Sequence, residues 1–93
     1  MTDYAVDESE RFRRDLADFS PALRLRFEVK LRTHLYPFLR ARPHVGPNIR
    51  LLQGVDPPIW RYRIGDYRVF YTIDDTRRIV SMLAIKHRRE AYR

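Results

Sequence analysis

The stretch Ile64-Gly65-Asp66-Tyr67-Arg68-Val69-Phe70-Tyr71 puts a two-residue turn in front of an alternating strand, and its reading decides the fold. Glycine at the first turn position supplies the positive φ of a type II′ hairpin. Antiparallel pairing across Gly65-Asp66 then sets Ile64 opposite Tyr67, Arg63 opposite Arg68, Tyr62 opposite Val69 and Arg61 opposite Phe70. Two arginines thus face each other. Like charges in that relation destabilise a sheet, so the pair points to a negative partner; the alternative is a solvated outer face on which the two side chains splay apart. The run Lys86-His87-Arg88-Arg89 adds a dense cationic end, and the whole unit reads as an anion-binding site.

Outward from the turn, residues 59–64, 67–73 and 79–85 alternate as strands, with residues 74–77 turning the last pair. Tyr67, Val69, Tyr71 and Ile73 form one apolar face, joined across the hairpin by Trp60, Tyr62 and Ile64. That face is expected to pack on helices. The opposite face carries Arg61, Arg63, Arg68, Phe70 and Thr72, a basic surface with one aromatic, suited to backbone contact and base stacking.

The N-terminal half reads as helical. Tyr4-Ala5-Val6 is a short strand candidate, and Asp7 with Glu10 resembles a capping box. Phe12, Leu16 and Phe19 make one apolar stripe; Ser20 then caps a second helix with Pro21 at its first position. Leu23, Phe27, Leu31, Leu35, Phe38 and Leu39 carry that helix to about Arg40, Pro37 kinking its last turn. So short a connection predicts an antiparallel helical hairpin. Prolines and glycines break the pattern over residues 41–58, where Ile49, Leu51 and Leu52 offer one more strand. The expectation is a single α+β domain over residues 1–93, an N-terminal antiparallel helical hairpin packed on a small, mainly antiparallel twisted sheet.

Composition agrees with an anionic partner. Nineteen Lys and Arg against twelve Asp and Glu give a net charge of +7, a field that attracts nucleic acid or an acidic protein. Only Lys30 and Lys86 are lysines; arginine offers phosphate a planar bidentate fork, although a GC-rich genome also raises arginine use. There is no cysteine, hence no disulfide or thiolate nucleophile. No apolar stretch approaches a membrane span and Met1-Thr2-Asp3-Tyr4 lacks signal-peptide character, so a soluble, cytoplasmic, unprocessed protein is expected, with no membrane partner. His34 and His44 lack carboxylates at ligand spacing, so neither metal nor cofactor is expected. Asp74-Asp75 reads as turn chemistry.

The order of elements, the sequence from Trp60 to Tyr71 and the ending Lys86-His87-Arg88-Arg89-Glu90-Ala91-Tyr92 resemble the RelE/ParE superfamily of toxins from bacterial and archaeal toxin–antitoxin pairs. The resemblance spans nearly the whole chain, and its specific part is the last third. It implies a RelE-like fold. RelE-branch members cleave messenger RNA, typically in the ribosomal A site, whereas ParE-branch members poison DNA gyrase and lack the nuclease residues. By resemblance to the nuclease branch, Arg61 and Arg63 stand where relatives carry lysines, Arg68 follows Tyr67, Arg88 follows the last strand, and Tyr92 is the terminal tyrosine. The implied partners are an acidic antitoxin in a hetero-oligomer, mRNA and the ribosome.

Metal-free RNA cleavage needs a base for the 2′-hydroxyl, cations for the phosphorane charge and an acid for the 5′ oxygen. Arg68 and Arg88 are best suited to clamp the phosphate, with Arg61, Arg63, Lys86, Arg89 and Phe70 as RNA contacts. Tyr92 or His87 is the candidate for proton transfer, since histidine titrates near neutrality and cations favour a phenolate; the alternatives are a packed C-terminal plug and a surface histidine. With these side chains on the open face, removing Arg68 is expected to leave folding intact. The leading expectation is a RelE-like endoribonuclease toxin. The alternatives are a non-catalytic ParE-like gyrase inhibitor and a degenerate antitoxin-binding module.

Overall fold

Alternating hydrophobicity in the C-terminal half is realised as three long antiparallel strands. The computed structural model describes residues 3–91, and in it β3 (Trp60–Ile64), β4 (Tyr67–Asp74) and β5 (Ile79–His87) follow one another in the sheet. They are flanked by β1 (Ala5–Glu8) and β2 (Ile49–Leu51), in the order β1-β5-β4-β3-β2. The β3–β4 register is the one the turn dictates, from Ile64 opposite Tyr67 to Arg61 opposite Phe70. Gly65 takes φ +56° while Asp66 keeps a negative φ, as a type II′ turn requires. Asp74 Oδ1 accepts from the Thr76 and Arg77 amides in the next turn. β2 pairs antiparallel with β3, and β1 lies parallel to β5.

One irregularity matters. Between Phe70 opposite Ala84 and Tyr71 opposite Met82 the register skips Leu83, a β-bulge in β5. β1 ends beside this point, and the residues after it take over the exposed strand edge. Ser9 donates its amide to Met82 O and its hydroxyl to Leu83 O, and Asp15 Oδ2 accepts from Ile85 N at 2.8 Å. The edge amides thus find partners without a sixth strand.

The same Ser9 starts α1 (Glu10–Ala17), its hydroxyl accepting from Phe12 N. Ser9, not Asp7, is therefore the cap; Asp7 lies within β1. Ser20 caps α2 (Pro21–Lys30), with Pro21 in the first turn as read from sequence. The helix continues through a π turn at Leu31–Leu35 into α3 (Tyr36–Ala41). Pro37 has no amide to give the Thr33 carbonyl, and Tyr36 N reaches back to Leu31 O instead, which widens the turn. Buried Phe27, Leu31, Leu35 and Leu39 step by four, a spacing that drifts round a 3.6-residue helix; the wider turn counters that drift and keeps the stripe on the sheet.

The expected helical hairpin is not the packing unit. α1 lies mainly against β5 and meets α2 only briefly, because its N-terminus is tied to the bulged edge. The helices and one sheet face enclose a core of Phe12, Leu16, Phe27, Leu39, Val69 and Tyr71 with their neighbours. The α+β class and the mainly antiparallel sheet are as expected.

Candidate nucleic-acid interface

Residues directly opposite in an antiparallel ladder share a face, so register alone defines the sheet surface turned away from the helices. One cross-sheet row reads Arg50, Arg61, Phe70, Ala84; the next, closer to the turn, reads Arg63, Arg68, Lys86. Five cations from four strands therefore lie on one surface. Arg63 is exposed, Arg61 and Lys86 are half-buried, and Arg68 retains only 7% of its accessible surface. Its guanidinium donates to the backbone carbonyls of Gly65 at 3.2 Å and Tyr67 at 3.1 Å. Arg68 is thus buried and hydrogen-bonded to the turn, not the open, solvated side chain that the sequence suggested.

Beyond β5 a short α4 (Arg88–Ala91) begins. Arg88 N donates to Asp66 O at 2.7 Å, and Arg88 Nη1 lies 3.9 Å from Asp66 Oδ1. This fastens the chain end to the β3–β4 turn, beside the Arg63–Arg68–Lys86 row. Arg89 is exposed on the same short helix. His87 goes elsewhere. It pairs with Tyr67 on the helix-covered face, the rings meeting edge-on with centroids 5.2 Å apart, and its Nδ1 accepts from Arg89 N at 3.3 Å. The structure does not bring His87 to the arginine rows, and Tyr92 lies outside the described residues.

Two cations that the sequence reading did not single out join this surface. Arg50 enters through the β2–β3 register, which the irregular segment before β3 conceals in the sequence. Arg11 arrives from α1 and lines a hollow with Phe70 and Lys86; its helical position carries no sign of sheet proximity.

A second polar cluster sits at the far end of the sheet. Tyr4 OH donates to Asp75 Oδ1 at 2.5 Å and accepts from Arg78 Nη1 at 3.1 Å, while His44 Nε2 lies 3.0 Å from Asp75 Oδ1. The Tyr4 hydrogen bond, with weaker help from His44 and Arg78, lowers the Asp75 pKa. The same bond raises that of Tyr4. Asp75 is thus a tie between the residue preceding β1, the loop after α3 and the β4–β5 turn, beyond the turn chemistry expected of it. Burial raises the Tyr71 phenol, which donates to Pro43 O at 2.8 Å. Burial and then Glu8 raise the Tyr36 phenol, which donates to Glu8 Oε2. Both phenols are structural donors.

Among the described residues no three His, Cys, Asp or Glu side chains are grouped to hold a metal, and no helix is long and apolar enough to cross a membrane.

Comparison with known proteins places the fold. The chain is similar to a chain of the archaeal RelE–RelB complex from Pyrococcus horikoshii OT3, with 25% identity, a TM-score of 0.70, and coverage of 95% of this chain and 97% of that one. It is similar to a chain of the RelBE2 toxin–antitoxin complex from Mycobacterium tuberculosis, with 27% identity, a TM-score of 0.72, and coverage of 95% and 94%. The intact E. coli RelBE complex shares the fold at 21% identity and a TM-score of 0.65, with coverage of 90% and 95%. A comparison with curated proteins finds no match. The model of the family described as ParE toxin of type II toxin–antitoxin systems matches residues 1–92. The fold and this match over residues 1–92 agree, and the chain belongs to that toxin family, within the RelE/ParE superfamily.

Proposed function

We propose that this toxin is a metal-independent endoribonuclease that cleaves mRNA, in the ribosomal A site, by attack of a 2′-hydroxyl on the adjacent phosphorus. The observation that carries the reading is Arg68, sunk between Arg63 and Lys86 with its guanidinium pinned by two backbone carbonyls. A cation held in advance where charge develops lowers the barrier without reorganising at the moment of reaction. Arg68 stabilises the phosphorane; Arg88, anchored to the turn, adds a second charge; Arg61, Arg63 and Arg89 hold flanking phosphates. Arginine stays protonated at any working pH, so these residues bind and do not shuttle protons. The 2′-oxygen bonds to phosphorus as its proton leaves to a base, and the P–O5′ bond breaks as an acid protonates the departing oxygen, leaving a 2′,3′-cyclic phosphate and a 5′-hydroxyl. Tyr92 is the proton-transfer candidate kept from the resemblance, since His87 faces the helices.

The partner that restrains the toxin is an acidic antitoxin segment that folds on binding and masks the arginines. Similar structures in complex with RelB support such a partner. Co-purification with the neighbouring gene product tests it; a neighbour that neither binds nor protects argues against it.

A second reading, inhibition of DNA gyrase without catalysis, is favoured by the description of the matched family and by the orientation of His87. Pulse labelling after induction separates the two. Protein synthesis falling first, with new 5′ ends in primer extension, supports cleavage. DNA synthesis falling first, with intact messages, supports gyrase inhibition.

A further inference from the structure

Beside the arginine rows the open face has a hollow of about 310 Å³ that the phosphate reading leaves unused. Its apolar lining is Phe70 with Leu52, Ile59, Leu83 and Ala84. The depth has a structural cause. Ala84 stands directly opposite Phe70 and offers only a methyl group, and the Leu83 bulge opens the strand next to it. Among the described residues the polar lining consists of Arg11 and Lys86, both cationic.

We propose that this hollow seats a single nucleobase of the RNA, stacked on Phe70, while the attached phosphate lies on the neighbouring Arg61 and Arg63–Arg68–Lys86 positions. The inference rests on the RNA-cleavage reading and adds to it a base subsite with Phe70 as the residue that holds the base. Two features select the occupant. An aromatic ring among apolar side chains fits a flat, weakly polar body, and a polar lining that is wholly cationic fits one that carries negative charge. A nucleotide combines both in one residue. The volume is at the small end for ligand pockets, about 300–1,000 Å³, matching one base rather than a stack. Arg11 and Lys86 supply only donors, so they close on base oxygens, ring nitrogens or the phosphate.

The test uses the full-length toxin and short single-stranded RNA made uncleavable by 2′-O-methyl groups, in a series carrying one abasic position moved along the strand. Binding is read by fluorescence anisotropy. For the wild-type protein one abasic position is expected to weaken binding about tenfold, within the range of base–aromatic stacking, while the others have little effect. Phe70→Leu, checked by its thermal melt, is expected to weaken intact RNA to the same degree and to leave the RNA abasic at that position unchanged. The abasic series on wild-type protein keeps the test independent of how the variant folds. A flat abasic series, or equal losses on intact and abasic RNA with Phe70→Leu, overturns the base subsite and leaves the nuclease reading intact. Wild-type protein that binds and cuts no RNA, but whose hollow is protected by an acidic peptide, removes both.

Discussion

The two faces of β4 differ less in burial than in what burial is for. Val69 and Tyr71 on the helix-covered face retain no accessible surface, yet Arg68, next to Val69 on the opposite face, retains only 7%. The apolar pair is held by contact with the helices, an effect proportional to area removed from water. Arg68 is held by directed hydrogen bonds to Gly65 O and Tyr67 O, so its position is set by the hairpin turn. The same turn places Arg63 opposite it, exposed. One cation of the facing pair is thus fixed and the other is free to adjust, which answers how two opposed arginines coexist in a sheet.

The largest effect expected from this contrast is on the helix face. Phe12→Ala removes a wholly buried ring and is expected to cost about 3–5 kcal/mol of stability, read by urea denaturation, with cleavage per folded molecule unchanged. Loss of activity out of proportion to unfolding would show that the faces are coupled. Arg68→Ala comes next. It is expected to raise the cleavage barrier by about 3–4 kcal/mol, by analogy with loss of an oxyanion donor, and to lower stability by about 1–3 kcal/mol as two carbonyls lose their partner. Arg63→Ala, by contrast, is expected to stay within about 0.5 kcal/mol of wild type in a melt. Equal stability effects at the two positions would erase the distinction between fixed and adjustable cation.

His87→Gln sharpens the division further. Because the ring meets Tyr67 edge-on on the helix side, RNA cleavage and its pH profile are expected to remain those of the wild type; a lost limb in that profile would place the imidazole in the reaction. The smallest effect is at the far end of the sheet. Asp75 has its pKa depressed below the ordinary 3.8, chiefly by the Tyr4 hydrogen bond, so its contribution to stability is present above that value and fades as pH falls through the lower folded one. Asp75→Asn is expected to make thermal stability less steep below about pH 4 and to leave cleavage untouched. An unchanged acid limb would mean that the Tyr4–Asp75–His44 tie does not contribute.

Much of this was legible in the chain because its causes are local. Gly65-Asp66 fixes a turn, the turn fixes a register, and the register puts Arg61, Arg63, Arg68 and Phe70 on one face. Ser20-Pro21 starts a helix wherever it stands. The α+β class follows from period and turn chemistry together, and family membership followed from the same residues. The helix cap at Ser9, the parallel docking of β1 on β5 and the entry of Arg50 and Arg11 were not legible, since each depends on a partner distant in sequence.

His87 and Lys86 show where the boundary lies. Counting by twos along β5 from Val80, which faces the helices, sends Lys86 to the helices and His87 to the open face, beside the arginines. The bulge at Leu83 inserts one unpaired residue and reverses both assignments. Side-chain direction in a strand has a period of two, so a single extra residue inverts everything beyond it. Sequence by itself determined which residues are strands and which charges accompany them. Only the tertiary structure, by tying Ser9 and Asp15 to the bulged edge, decided which cation joins the site and which imidazole is turned away from it.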